Sequence, residues 1–299
     1  MCGIVGLFLK TEKHRPELGR LTALMLHEMR GRGPDSAGFA VYDEGTQDTT
    51  RLTLLAEGRD FDWSPTAAEL GAVLDADVEV RATLDHAVFE TNGDGRVARQ
   101  WIIDNVPEVD VLSHGRQIEL YKSVGDPDLV ASRYDLASRS GTHAIAHTRM
   151  ATESAITTNG SHPFVTGADT CLVHNGSLSN HNRLREMLER HGESFQTEND
   201  SEVAAGYLSW RLNEGDTIDE ALRRALIDLD GFYTFAIGIE SGFAIVRDPI
   251  ACKPAIIAET DDWVAMSSEY GAIAQLPGVD DATLWEPDPG RIYTWSLVA

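Results

Sequence analysis

The sequence predicts an α+β protein, a layered sandwich of sheets flanked by helices, and three observations carry that expectation. Strand-like and helix-like runs cluster along the chain instead of alternating strictly, which argues against a doubly wound parallel sheet or a barrel. Several strand runs are short and continuously apolar, as strands covered on both faces are. No internal repeat or long linker interrupts the 299 residues, so one domain over residues 2–299 with an elaborated middle at about 58–140 is the simplest organisation.

The elements follow in order. Residues 3–9 form an apolar run that reads as a buried strand starting directly after Cys2. Leu18, Leu21, Met25 and Met29 recur at helical spacing, and Pro16 suits a first turn, so a helix is expected over 16–30. Gly31-Arg32-Gly33-Pro34-Asp35-Ser36 is a turn-rich loop, and 37–42 with 51–57 read as a strand pair. The middle mixes strand patterns at 78–84 and 117–124 with helical ones at 65–74 and 128–137. Its Asn92-Gly93-Asp94-Gly95 reads as a hairpin turn, because an EF-hand loop needs a fuller ladder of oxygen ligands closed by a glutamate. Beyond it, strands at 144–147 and 171–173 lead to Arg149 and to His174-Asn175-Gly176. Helices are expected at 182–191, closed by Gly192, and at 200–212, with Leu184, Leu188, Val203, Tyr207 and Trp210 facing the core. Residues 231–239 and 243–247 form a hairpin meeting at Ser241-Gly242, and strands at 255–258, 264–267 and 290–295 finish the chain.

Composition narrows the function. The 48 acidic against 25 basic residues give a net charge of −23, which repels phosphate backbones and excludes nucleic acid as a natural partner. Lysine is confined to Lys10, Lys13, Lys122 and Lys253, and the acidic excess reads as a solvated surface. No apolar run approaches a membrane span, and the start lacks a basic signal-peptide region, so a soluble cytoplasmic protein is expected. Three separated cysteines build neither a disulfide framework nor a zinc site; Cys171 and Cys252 read as small buried apolar residues.

Cys2 is different. Removal of Met1 would leave a thiol and a free α-amine on one residue, a nucleophile carrying its own base. Five segments then resemble class II glutamine amidotransferases, the N-terminal-nucleophile family: Cys2-Gly3-Ile4-Val5-Gly6, Arg32-Gly33-Pro34-Asp35-Ser36-Ala37-Gly38, His147-Thr148-Arg149-Met150-Ala151-Thr152, His174-Asn175-Gly176 and Asn199-Asp200-Ser201-Glu202. Arg247-Asp248-Pro249 with Lys253-Pro254 is similar to the family's late signature. Each fragment is weak alone, but their order spans nearly the whole chain. The resemblance implies a four-layer αββα sandwich and hydrolysis of L-glutamine to glutamate and ammonia through a γ-glutamyl thioester on Cys2, with no metal or organic cofactor.

Chemistry can be set beside that resemblance. Free glutamine presents a carboxylate, an ammonium and an amide. Arg149 suits a bidentate grip on the carboxylate and Asp200 suits the ammonium, with Thr152 and Gly176 adding hydrogen bonds. The resemblance makes the Asn175 side chain and the Gly176 N–H an oxyanion hole, and the Arg32–Ser36 segment a loop closing over glutamine. Asn175-Gly176 also has the composition of a tight turn, and both readings can hold together. His147 and His174 read as orienting or core residues.

No nucleotide or dinucleotide loop follows, so the ammonia acceptor is expected on a separate chain. The finer resemblance is to stand-alone amidotransferase subunits of split glutamate-synthase-like enzymes, such as the small subunit of N-methylglutamate synthase. It implies a hetero-oligomer with a flavin-containing synthase subunit. The alternatives are another N-terminal-nucleophile amide hydrolase and a non-catalytic organising subunit.

Overall fold

The structure, a computed structural model, describes residues 2–46, 48–58, 60–150 and 156–297. Strand β1 (Gly3–Leu9) is followed by a 3-10 turn over Glu12–Glu17 and by helix α1 (Leu18–Glu28). The helix is shorter than the spacing predicts: Pro16 falls in the 3-10 turn, and tight bonds from Met29 N to Leu26 O (3.0 Å) and Arg32 N to Met29 O (2.9 Å) end it early. The chain continues through β2 (Ser36–Tyr42), β3 (Thr50–Leu55), α2 (Trp63–Leu74), β4 (Val78–Thr83), β5 (His86–Thr91), α3 (Gly95–Asn105), β6 (Asp110–Gly115), β7 (Ile118–Val124) and α4 (Pro127–Arg133). It then forms β8 (His143–Arg149), β9 (Phe164–Gly167), β10 (Thr170–Leu178), α5 (His181–Arg190), α6 (Asp200–Asn213) and α7 (Ile218–Asp228). The last elements are β11 (Gly231–Ile239), β12 (Gly242–Arg247), β13 (Ile256–Glu259), β14 (Trp263–Ser267), α8 (Tyr270–Ile273), β15 (Thr283–Trp285) and β16 (Ile292–Ser296).

Two antiparallel sheets form the centre: a seven-stranded one in the order β15-β13-β14-β1-β8-β2-β7 and a five-stranded one in the order β16-β12-β11-β10-β9. The period of two in β1 divides its side chains between layers. Val5, Leu7 and Leu9 face outward onto Leu18, Leu21, Met25 and Leu26 of α1, while Ile4 and Phe8 face inward onto Val173, Ala236, Phe243 and Ile245 of the second sheet. That sheet's outer face packs on α5, α6 and α7 through Leu184, Leu188, Val203, Tyr207 and Leu222. The layers therefore run helix, sheet, sheet, helix, an α+β sandwich of antiparallel sheets.

A four-stranded sheet, β4-β5-β3-β6, stands apart and is backed by α2 and α3 over Leu52, Leu54, Trp63, Leu70, Phe89 and Ile102. It takes β3 from before residue 58, whereas β7 and α4 of the middle segment return to the large sheet. The expected pairing of 37–42 with 51–57 does not form. Strand β2 already has β7 and β8 on its two edges, and β3 has β5 and β6. The Asn92–Gly95 segment is no hairpin either: it joins β5 to α3, and Asp94 caps the helix by accepting from Arg96 N (2.8 Å) and Val97 N. Cys171 is buried beside the Tyr42 hydroxyl (3.3 Å), and burial pushes its thiol up to about 12 against the opposing effect of that hydrogen bond, but Cys252 is exposed, contrary to expectation.

Candidate active site

The start of β1 is pinned from two sides. Gly3 pairs with Thr148 of β8, where a Cβ would stand 2.9 Å from Thr148 Oγ1 and 3.0 Å from Met29 Cβ, so only glycine fits. Ile4 exchanges hydrogen bonds with Ser268 just past β14, its N–H donating to Ser268 Oγ (3.0 Å) and its carbonyl accepting from Ser268 N (3.0 Å). Cys2 therefore emerges from a fixed strand, half-buried, with its thiol unbridged. Its carbonyl accepts from Arg32 Nε (3.0 Å) and from Asn175 Nδ2 (3.2 Å), and Arg32 turns its Nη1 to Glu269. Three of the expected site residues thus meet at one carbonyl.

Asn175 and Gly176 lie inside β10, paired with Thr234 and Tyr233 of β11. The dipeptide is extended strand and not a turn. Its glycine is required by close approach, since a Cβ on Gly176 would sit 2.1 Å from Phe232 O.

Arg149 ends β8 and is 6% exposed. Residues 33–36 run beside its backbone, with Asp35 N donating to Arg149 O (3.1 Å), and a Cβ on Gly33 would strike Arg149 N at 2.5 Å. Its guanidinium lies over Gly160, where an added Cβ would be 3.6 Å from Nη1. Gly160 O in turn accepts from Asn199 Nδ2 (3.1 Å), and Asn199 Oδ1 caps α6 by accepting from Ser201 N (3.0 Å). Asp200, the first residue of that helix, accepts from Leu178 N at the end of β10 (2.8 Å). Arg149 and Asp200 thus reach the region from different elements, with Gly160 and Asn199 between them. Thr152 lies outside the described residues.

Three buried histidines tie these parts together. His147 Nε2 donates to His174 O (3.0 Å), joining the strand of Arg149 to that of Asn175, and His174 Nδ1 meets Ser201 Oγ (2.8 Å) beside Asp200. His162 stacks on His147 with ring centroids 4.0 Å apart. Burial holds His147 down to about 3, opposed by its bond to the His174 carbonyl, and lowers His162 and His174 as well, so all three are neutral imidazoles at neutral pH. Sequence reading named Asn199 only as part of its motif, with no role, and missed Ser268 and Glu269 as contacts of the site. The only signal of the last two is a polar residue at the end of an apolar strand. The Arg247-Asp248 signature is a loop tie: Asp248 accepts from Tyr233 N (2.9 Å) and Ile250 N (2.7 Å), while Arg247 donates to Pro287 O (3.1 Å) and Lys253 O (2.8 Å).

Comparison with known proteins decides the family. The glutamine amidotransferase-like protein GlxB of Rhizobium meliloti is 49% identical over 298 residues, 99% of this chain and 98% of that protein. The chain belongs to the glutamine amidotransferase family. A family model described as a glutamine amidotransferase domain matches residues 147–275, and a putative glutamine amidotransferase of Methanothermobacter thermautotrophicus is 32% identical over 98% of this chain and 99% of its own length. Among solved structures, the glutamine phosphoribosylpyrophosphate amidotransferase from B. subtilis superposes with a TM-score of 0.62 at 22% identity. The match covers 97% of this chain but 46% of that one, so the amidotransferase fold accounts for about half of the larger enzyme. Among the described residues of this amidotransferase, no cluster of three or more His, Cys, Asp or Glu could hold a metal ion, and no helix is long and apolar enough to cross a membrane.

Proposed function

We propose that this chain is a glutaminase subunit that hydrolyses the side-chain amide of L-glutamine on Cys2 and passes the ammonia to a separate glutamate-synthase-like subunit. The observation that carries the reading is the convergence of Arg32 and Asn175 on the Cys2 carbonyl. One N–H of the Asn175 amide is held there, which fixes the amide and leaves its second N–H to donate to an oxyanion. After Met1 is removed, the α-amine of Cys2 takes the thiol proton and Sγ adds to the amide carbon. The tetrahedral intermediate, held by Asn175 and the Gly176 N–H, expels ammonia with that proton and leaves a thioester. Water, deprotonated by the same amine, then releases glutamate. Arg149 grips the substrate carboxylate, Asp200 takes the ammonium, Thr152 and Gly176 add hydrogen bonds, and the Arg32 segment closes the site.

Ammonia lost to solvent is useless to a synthase, so docking on a flavin-containing partner through the four-stranded sheet completes the reading, in a cytoplasmic complex of the N-methylglutamate synthase kind. The test is intact mass followed by Cys2→Ala. The mature parent should lack Met1, turn over glutamine and be labelled by a glutamine-like electrophile such as diazo-oxo-norleucine. Cys2→Ala should lose at least about 1000-fold in turnover and all labelling while keeping its fold. Retained Met1, or a Cys2→Ala protein as active as the parent, would falsify the mechanism.

A further inference from the structure

The middle of the chain contributes more than a surface. Lys122 lies on β7, and its buried ammonium donates to Asn159 O (3.1 Å), Ser161 O (3.0 Å) and Pro163 O (3.5 Å), using all three of its protons on one loop. Around it stand the carboxylates of Glu202, Asp110 and Glu57, which oppose the burial that lowers the ammonium to about 8. Each carboxylate also holds backbone or side-chain donors nearby. Glu57, just past β3, accepts from Thr158 N (3.1 Å). Asp110, which opens β6, accepts from Asn159 Nδ2 (2.8 Å) and Gln196 Nε2 (2.9 Å), spanning two loops with one carboxylate. Glu202 of α6 accepts from Gln196 N (2.8 Å), Thr197 N (2.8 Å) and Thr197 Oγ1 (2.7 Å).

The two segments held in this way, 157–163 and 196–199, are the ones that meet at Gly160 under the Arg149 guanidinium, where Asn199 closes on the Gly160 carbonyl. Asp110 belongs to the four-stranded sheet, and Glu57 follows its strand β3 by two residues. Lys122, Asn159, Gln196 and Glu202 also line a cleft of about 1480 Å³ between α3 and α6, which Cys2 does not border.

We propose that Lys122 on the large sheet, Asp110 on the four-stranded sheet and Glu57 just past it are positioning residues that set glutamine affinity by holding the 157–163 and 196–199 segments against Arg149. The proposal rests on the glutaminase reading for its kinetic consequence but not for its structural one. A bond network that orders the binding pocket without touching the reacting atoms acts on capture more than on turnover.

The experiment compares Asp110→Ala, Glu57→Ala and Glu57→Gln with the parent in the complete chain. Removing the Asp110 acceptor should raise KM for glutamine about 3- to 10-fold, the worth of one or two hydrogen bonds, with kcat within about twofold. Glu57→Ala should move KM in the same direction by less. Glu57→Gln, which keeps an acceptor for Thr158 N, should recover most of the parental KM. Hydrogen exchange supplies the second readout: in Asp110→Ala the amides of 157–163 and 196–199 should exchange faster while β1 and β8 keep their protection. Unchanged exchange in both loops, or a loss confined to kcat, overturns the proposal. The exchange arm needs no substrate, so it decides the latch even for a parent chain that turns over no glutamine, an outcome that sinks the glutaminase reading alone.

Discussion

The two large sheets meet across an apolar seam, whereas the small one meets the large sheet across a mixed one. Between the seven- and five-stranded sheets lie Ile4, Phe8, Ile145, Val173, Phe243 and Ile245, an apolar seam closed to water. The small sheet has an apolar face toward α2 and α3, but the face it turns to the large sheet is mixed, with Leu55, Val88 and Leu112 packed among polar groups. Thr53 Oγ1 accepts from Ser113 Oγ (3.0 Å) and from Leu120 N (3.3 Å). Beside them Arg51 pairs with Asp43 and with Glu90 (3.1 Å), while Glu119 receives Arg81 and Arg139, all around a cavity of about 360 Å³. An apolar seam gains free energy from every methylene it hides. A buried ionic seam returns much of its attraction as desolvation and fixes geometry instead. The core is thus built to stay closed, whereas the small sheet adds to its apolar contacts at Leu55, Val88 and Leu112 a set of ionic ones that specify a position, which suits an element that reports on the site through Asp110 and Glu57.

The comparison can be broken at its strongest point first. Phe243→Ala empties a fully buried ring position stacked on Trp295 (5.3 Å between centroids) and should cost about 3–5 kcal/mol, read as a lower midpoint in a denaturant titration that follows the whole chain. A local opening confined to β12 and β16 would show that the central seam is less cooperative than argued. Glu119→Gln should be smaller, about 2 kcal/mol, since it weakens charged hydrogen bonds to two arginines of which Arg81 is half exposed. Hydrogen exchange should place that loss in β3 to β6 with β1 and β8 still protected. Equal loosening of both regions would erase the distinction.

Acid gives a test spread over several buried rings. Burial lowers His143 and His147 to about 3, and lowers His162 and His174, so the folded core stays unprotonated where the unfolded chain takes up protons near ~6.5. The unfolded state then binds more protons, and stability falls as pH drops below ~6.5 and levels off near ~3. Between pH 7 and 6 the loss should be about 1 kcal/mol or less per histidine, measured as a drop in thermal midpoint. In the small sheet, His114 is lowered to about 4. The core should therefore lead the acid transition, and a thermal midpoint flat from pH 7 to 5 would contradict the burial of these rings.

Legibility divided along the same line. Strands β1, β2 and β12 are buried on both faces and appear in the sequence as largely apolar runs, which is why their positions could be read directly. Strand β4 mixes half-buried and exposed residues, and β5, β6 and α3 passed unread, because a sheet with one mixed face mixes residue types. Helix α7 was also missed despite a capping box between Thr217 and Glu220, a local signal that the residues do carry. Cys2, Arg32, Arg149, Asn175, Gly176 and Asp200 were legible as candidates because each stands in a short motif whose chemistry depends on residue type.

What the sequence by itself carried was the motifs of the expected site, a layered α+β sandwich and most of the strands within it, since residue type and burial on two faces are written residue by residue. Which strands pair, and what holds the site, was decided only in three dimensions. The neighbours of β2 are strands more than seventy residues away, the Cys2 carbonyl is gripped from residues 32 and 175, and Asp110 reaches two loops from a sheet that carries none of the expected chemistry. Hydrogen bonds between segments so far apart leave no local pattern, because each partner is an ordinary polar residue until the fold brings the other within reach.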